Sequence, residues 1–127
     1  MKEKLITAAN NMREIAYAPY SNFTVGAAVE TKNGIIVAGC NVENSSYGLC
    51  CCAERVCLFN AISNGYKKFT AMAISTSNGG SPCGACRQVI WEICGDITIY
   101  ICTKKTLTRT TSSSKLLPEP FDKTYLL

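Results

Sequence analysis

The chain predicts a layered α/β domain with a mixed sheet that starts with a β-hairpin. Three observations carry this expectation. An Asn33-Gly34 pair separates two apolar stretches, which is a strong hairpin signal. At Cys52 the apolar spacing changes to a helical period. Beyond it, helical segments alternate with short apolar strands, the pattern of layered α/β proteins. Spacing leaves the strand order open.

Taken in order, residues Lys2 to Tyr17 place Leu5, Ala8, Ala9, Met12, Ile15 and Ala16 on one helical stripe, with Pro19 as the expected stop. Phe23 to Val29 and Gly34 to Val42 read as the hairpin strands, and Glu43 to Cys51 as a loop. A helix is expected from Cys52, closing at Gly65. Phe69 to Thr76 reads as a buried strand, followed by a Ser77–Gly80 loop. Ser81 and Pro82 suit the cap and first turn of a helix reaching Gly95. Ile97 to Cys102 and Leu107 to Thr111 read as strands, and Ser114 to Leu117 as a short helical turn.

At 127 residues, the expectation is one domain spanning 1–127. Hydrophobic content of 47% and charged content of 17% carry no disorder signature. The net charge of +4 is spread along the chain without a like-charge block, so nucleic acid is not an expected partner. No apolar run approaches membrane-spanning length, and Met1 to Ile6 lacks the apolar region of an export signal. Nine cysteines are therefore expected as reduced thiols in the cytoplasm.

Cys52-Ala53-Glu54-Arg55, followed by Pro82-Cys83-Gly84-Ala85-Cys86-Arg87-Gln88, carries the chemistry. The chain has no histidine, so a zinc site must use sulfur and oxygen ligands. Cys83 and Cys86 are three apart at a helix start and share a face, and Cys52 also opens a helix. Helix N-termini stabilise thiolates. Three thiolates leave zinc an open fourth position, which is the catalytic pattern. They also leave a negative centre, which Arg55 and Arg87 are placed in sequence to offset. The alternative is a structural site closed by a fourth cysteine; Cys40, Cys50 and Cys51 are spare, but no second C-x-x-C exists. Glu54 favours catalysis, because a hydrolytic site needs a base and a structural one does not.

These residues belong to a longer series: Pro19-Tyr20-Ser21 with Phe23-Thr24-Val25-Gly26-Ala27-Ala28, Gly39-Cys40-Asn41-Val42-Glu43-Asn44, and Leu116-Leu117-Pro118 with Phe121. Over nearly its whole length the chain resembles the small, homotetrameric, zinc-dependent cytidine deaminases. The C-x-E…P-C-x-x-C spacing is that of zinc-dependent base deaminases, with Cys in place of His. The resemblance implies a three-layer α/β/α fold on a mixed five-stranded sheet. It implies one Zn²⁺ per subunit on Cys52, Cys83 and Cys86, with zinc-bound hydroxide attacking C4 of the base. Glu54 would shuttle protons to N3 and to the departing amine. Phe23 would stack on the base, Asn41 and Glu43 would hold the ribose, and backbone around Ser45 and Ala53 would read the base edge. Tyr47 and Phe121 would come from neighbouring subunits, and Arg55 would support the thiolates from behind. The substrates implied are cytidine and 2′-deoxycytidine, in pyrimidine salvage. A cytosine-containing antibiotic and a polynucleotide are competing substrates, and a non-enzymatic zinc module is the competing class. The Cys50-Cys51-Cys52 run departs from the family pattern and raises competition for zinc by a neighbouring thiol.

Overall fold

The computed structural model describes residues 2–126. Its elements run α1 (Lys2–Arg13), β1 (Gly26–Thr31), β2 (Ile36–Cys40), α2 (Ala53–Ser63), β3 (Phe69–Ser75), α3 (Gly84–Cys94), β4 (Thr98–Cys102), β5 (Leu107–Ser112) and α4 (Ser113–Leu116). Single 3₁₀ turns occupy Tyr47–Leu49 and Lys123–Tyr125. The sheet order is β2-β1-β3-β4-β5, with β3 and β4 parallel and the other neighbours antiparallel. The mixed five-stranded sheet of the sequence reading is present.

Alternation along β1 sorts the two faces. Ala27 and Val29 point to a core shared with Ala53, Cys57, Leu58 and Ala61 of α2 and Ile90 of α3. Ala28 points the other way, to Leu5 and Ala9 of α1. Helices therefore cover both faces and the fold has three layers. The hairpin turns at Lys32-Asn33-Gly34 as expected, with Gly34 at φ +84° and its N–H donating to Thr31 O at 2.9 Å. Helix α3 is the crossover between parallel β3 and β4, so the chain leaves the C-terminal end of β3 and enters α3 beside it. In open α/β sheets that edge is where ligands bind.

Several boundaries differ from expectation, among them β2, which spans Ile36–Cys40 rather than Gly34 to Val42, and three have a clear physical reason. Helix α1 stops at Arg13, four residues before Tyr17, and leaves Ile15 and Tyr17 exposed. The chain breaks there because Tyr17 pairs with the strand end: its N–H donates to Asn41 O at 3.0 Å, and Glu43 N–H donates to Tyr17 O at 2.8 Å. Strand β1 starts at Gly26 rather than Phe23, because the Asn41 side chain takes up Phe23 O and Val25 N–H. Helix α3 starts at Gly84, one turn after Ser81. Its cap is Cys83, whose Sγ accepts from Cys86 N–H at 3.4 Å. Ser81 and Pro82 stay in the preceding loop. No described helix is long and apolar enough to cross a membrane.

Candidate metal centre and active site

Two helix N-termini meet at the sheet edge. Cys52 is the N-cap of α2, Cys83 is the N-cap of α3, and Cys86 lies one turn inside α3. Their Sγ atoms all lie within 4.8 Å of one another, with Cys52 and Cys83 at 4.0 Å. A tetrahedral zinc with Zn–S bonds of about 2.3 Å sets its sulfurs about 3.8 Å apart, so the trio fits. Arg55 Nη2 donates to Cys52 Sγ at 3.4 Å, while its buried Nε finds no partner among the described residues. This guanidinium is turned to the Cys52 sulfur. Arg87 is not: its Nε donates to Pro82 O at 2.7 Å and its Nη1 to Leu116 O at 3.0 Å. It braces backbone, tying the loop before α3 to the C-terminal end of α4.

The thiols differ in acidity. Cys52 is pulled down to about 5, chiefly by the hydrogen bond from Cys86; Arg55 adds to this and burial opposes it. Cys86 is pushed up as the donor to Cys52, with burial adding to the effect. Other cysteines are committed elsewhere. Cys50 Sγ accepts from Asn44 N–H at 3.2 Å and donates to Asn44 O at 3.5 Å. Cys51 forms a bridge with Val42, and burial raises its thiol. Cys57 donates to Val37 O at 3.3 Å, Cys102 donates to Ile74 O at 3.4 Å, and burial pushes Cys94 up to about 12. Among the described residues no fourth thiol joins the cluster. The Cys50 side chain and the Cys51 backbone are thus engaged away from the cluster.

Glu54 lies in the first turn of α2 and is 5% exposed. Burial, reinforced by the Cys52 thiolate, raises its carboxyl to about 7. That places the group where it both takes and gives protons near neutrality. It opens with Cys52 and Cys83 onto a cavity of about 280 Å³ whose wall includes Phe23, Asn41 and Glu43.

The sugar-side residues are held by their surroundings. Asn41 Oδ1 accepts from Val25 N–H at 2.9 Å, and its Nδ2 donates to Phe23 O at 2.8 Å. One Nδ2 proton remains to give. Glu43 Oε1 accepts from Tyr20 N–H at 2.9 Å and Ser21 N–H at 3.1 Å, while the Ser21 hydroxyl donates to Oε2. That hydroxyl is the main reason its carboxyl is held below the usual range, with the two backbone donors adding to it.

Ser45, Tyr47 and Phe121 lie outside this cavity. Ser45 is exposed in the loop after Asn44. Tyr47 is 73% exposed, its ring edge-on to Tyr20 with centroids 6.0 Å apart. Phe121 is 58% exposed and stacks on Tyr125 at 5.6 Å. Ala53 is fully buried between Cys52 and Glu54. The wall also includes Ser21, Val25, Ile74, Thr76, Gly80 and Ser81, none of which had been assigned a role. Ile74 is next to last in β3 and Thr76 follows the strand, so the strand-end rule for α/β sheets was the signal that could have found them.

Fold and site together define the class: an α/β enzyme whose pocket joins a three-cysteine cluster suited to a metal ion to a buried carboxylate. Residues 1–103 match the family model described as the cytidine and deoxycytidylate deaminase zinc-binding region. The chain is 48% identical to a cytidine deaminase of Sporosarcina psychrophila over 95% of its own length and 91% of that protein. It is 44% identical to one from Halalkalibacterium halodurans, over 94% and 93%. Among solved structures, the cytidine deaminase of Burkholderia pseudomallei superposes with a TM-score of 0.90 at 48% identity, covering 95% of this chain and 99% of that one. The chain belongs to the cytidine and deoxycytidylate deaminase family.

Proposed function

We propose that this enzyme hydrolyses cytidine and 2′-deoxycytidine to uridine and 2′-deoxyuridine plus ammonia. We place it in the cytoplasm, in pyrimidine salvage. The observation that carries the reading is Glu54: a buried carboxylate two residues from one thiolate, in a cavity shared with two. A partner-binding zinc module has no use for a carboxylate that resists ionisation there.

Cys52, Cys83 and Cys86 would hold one zinc per chain, and residues 1–127 would act as one domain. When bound, zinc supplies a Lewis acid that makes water a nucleophile near neutral pH. Glu54 accepts the water's proton and passes it to N3 of the base. The oxygen adds at C4 as a hydroxyl, Glu54 carries that hydroxyl's proton to the exocyclic amine, and the C4–N4 bond breaks to release ammonia as the C4 carbonyl forms. A carboxyl titrating near neutrality suits both halves of that relay. Phe23 stacks on the base, and Asn41 and Glu43 face the ribose hydroxyls. Their fixed hydrogen bonds support this: a donor and a carboxylate already anchored lose little freedom when a sugar arrives. Backbone at Ser45 and Ala53 reads the polar edge of the base. Tyr47 and Phe121 reach the pocket of a neighbouring subunit in a homotetramer; their exposure in one chain supports this.

Absorbance of cytidine mixed with the purified enzyme tests the reaction directly. A change to the uridine spectrum that stops on zinc chelation is the expected outcome. No change with protein that holds one zinc per chain sinks the nucleoside reading.

A further inference from the structure

We infer that Thr76 is a positioning residue for the metal centre, its hydroxyl tying down the loop that delivers Cys83. Thr76 follows β3 directly, is 4% exposed and forms part of the cavity wall. Its N–H is anchored to Cys102 O on β4 at 3.1 Å. Its Oγ1 accepts from Gly79 N–H at 2.8 Å and Gly80 N–H at 3.1 Å, and donates to Asn78 Oδ1 at 3.3 Å. Asn78 Oδ1 in turn accepts from Gly80 N–H at 3.0 Å. One hydroxyl thus gathers the Ser77–Gly80 loop back onto the strand end and turns the chain toward the metal ligands. Hydroxyls make such local bonds to nearby N–H groups readily.

The loop is locked from its outer side as well. Gly79 has φ +74°, and a Cβ there would lie 3.0 Å from Thr108 Oγ1 and 3.1 Å from its Cγ2. Beyond it, Ser81 Oγ accepts from Arg109 at 3.1 Å, and Pro82 O accepts from Arg87 at 2.7 Å. Cys83 comes next. It is the exposed member of the trio, whereas Cys86 is buried in α3 and Cys52 is half-buried under Arg55. Cys83 is therefore the ligand with least packing to hold it: its cap bond from Cys86 N–H fixes it on the helix side, and the loop that Thr76 closes fixes it on the other. Without the hydroxyl, Gly79 N–H loses its acceptor at a part-buried site and Gly80 N–H keeps only Asn78 Oδ1, and the loop relaxes to find water.

The inference rests on the zinc reading above, and release of zinc from the loaded enzyme into excess chromogenic chelator tests it. Thr76→Val keeps the shape and removes the hydroxyl. It should release zinc about 10- to 100-fold faster, the range for groups that orient metal ligands. Thr76→Ser should release it as the wild type does. Circular dichroism and the urea midpoint, read on the same samples, separate ligand placement from general loosening. A folded Thr76→Val with wild-type release, or a Thr76→Ser as leaky as Thr76→Val, overturns the inference. If Thr76→Val does not fold, Gly79→Ala decides, since it disturbs the same loop with the hydroxyl in place. Faster release supports the assignment and unchanged release overturns it. Wild-type protein that takes up no zinc overturns the metal reading, and this inference with it, before any variant is compared.

Discussion

Gly39→Ala should damage stability and catalysis together, because of where α2 sits. A Cβ at Gly39 would lie 2.5 Å from Cys57 N, 2.8 Å from Cys57 Cα and 3.0 Å from Val56 C. Ordinary contact begins at 3.4 Å, so the methyl overlaps helix backbone by up to about 0.9 Å. No flexible side chain can yield; α2 itself must move off β2. Overpacking of this kind costs about 1–3 kcal/mol, and rigid backbone on both sides puts this case at the upper end. The same shift carries Cys52 and Glu54, since both open α2. Displacement of a reacting group by about 1 Å costs on the order of 100-fold in rate. Gly26→Ala is the control, with a Cβ 2.0 Å from Ala9 O on the opposite face. It pushes on α1, which has no residue in the cavity wall. Urea midpoints should fall for both variants, while kcat per folded molecule falls far more for Gly39→Ala. A wild-type midpoint for Gly39→Ala, or equal kcat losses in the two, refutes the reasoning.

Glu54→Gln should lower kcat by about 100- to 10,000-fold, the usual worth of a positioned proton carrier, with zinc retained; zinc lost along with activity, by metal analysis, would make the carboxylate structural. In zinc-free protein the Cys52 thiolate should titrate near pH 5, followed by absorbance at 240 nm. Its folded value lies below the unfolded one of about 8.5. Its stabilisation is therefore complete above the unfolded value and is lost as pH falls through about 5. Arg55→Gln should move that midpoint upward, and an unmoved midpoint removes Arg55 from the account. Cys50→Ala and Cys51→Ala should each keep the wild type's zinc content, because neither thiol joins the cluster. A drop in zinc per chain for either one contradicts this.

What the sequence made legible follows from how local each signal is. The Asn33-Gly34 turn, the two cysteine motifs and the helices that start beside them are short-range patterns, and the structure has them within a residue or a turn. Of the helix boundaries that slipped, the α1 end was decided by long-range partners and the α3 start by a competing local cap. Tyr17 leaves α1 to pair with Asn41 and Glu43, which lie more than twenty residues downstream. Ser81 is a good cap by propensity, yet Cys83 takes the position because its sulfur reaches Cys86 N–H from a better-placed turn. The same limit applies to charge: Arg55 and Arg87 stand equally close to a cysteine in sequence, and only folding shows that one faces sulfur and the other two carbonyls.

The aromatic residues follow a related logic. Tyr20, Tyr47, Leu49 and Phe121 are all about half exposed or more, although each is large and apolar. Burying such a side chain is worth about 1.5–3 kcal/mol, so several left in water on one small domain is a stability forgone. Phe121 is not loosely placed, however. Gln88 Nε2 donates to its carbonyl at 2.7 Å, and Trp91 Nε1 donates to the carboxylate of neighbouring Asp122 at 3.1 Å. Both anchors rise from α3, the helix that also carries Cys83 and Cys86. An exposed ring on a clamped backbone is suited to present itself to another surface. This supports the proposed pocket completed between subunits, in which the element carrying two of the clustered cysteines would also fix what one chain offers to the next.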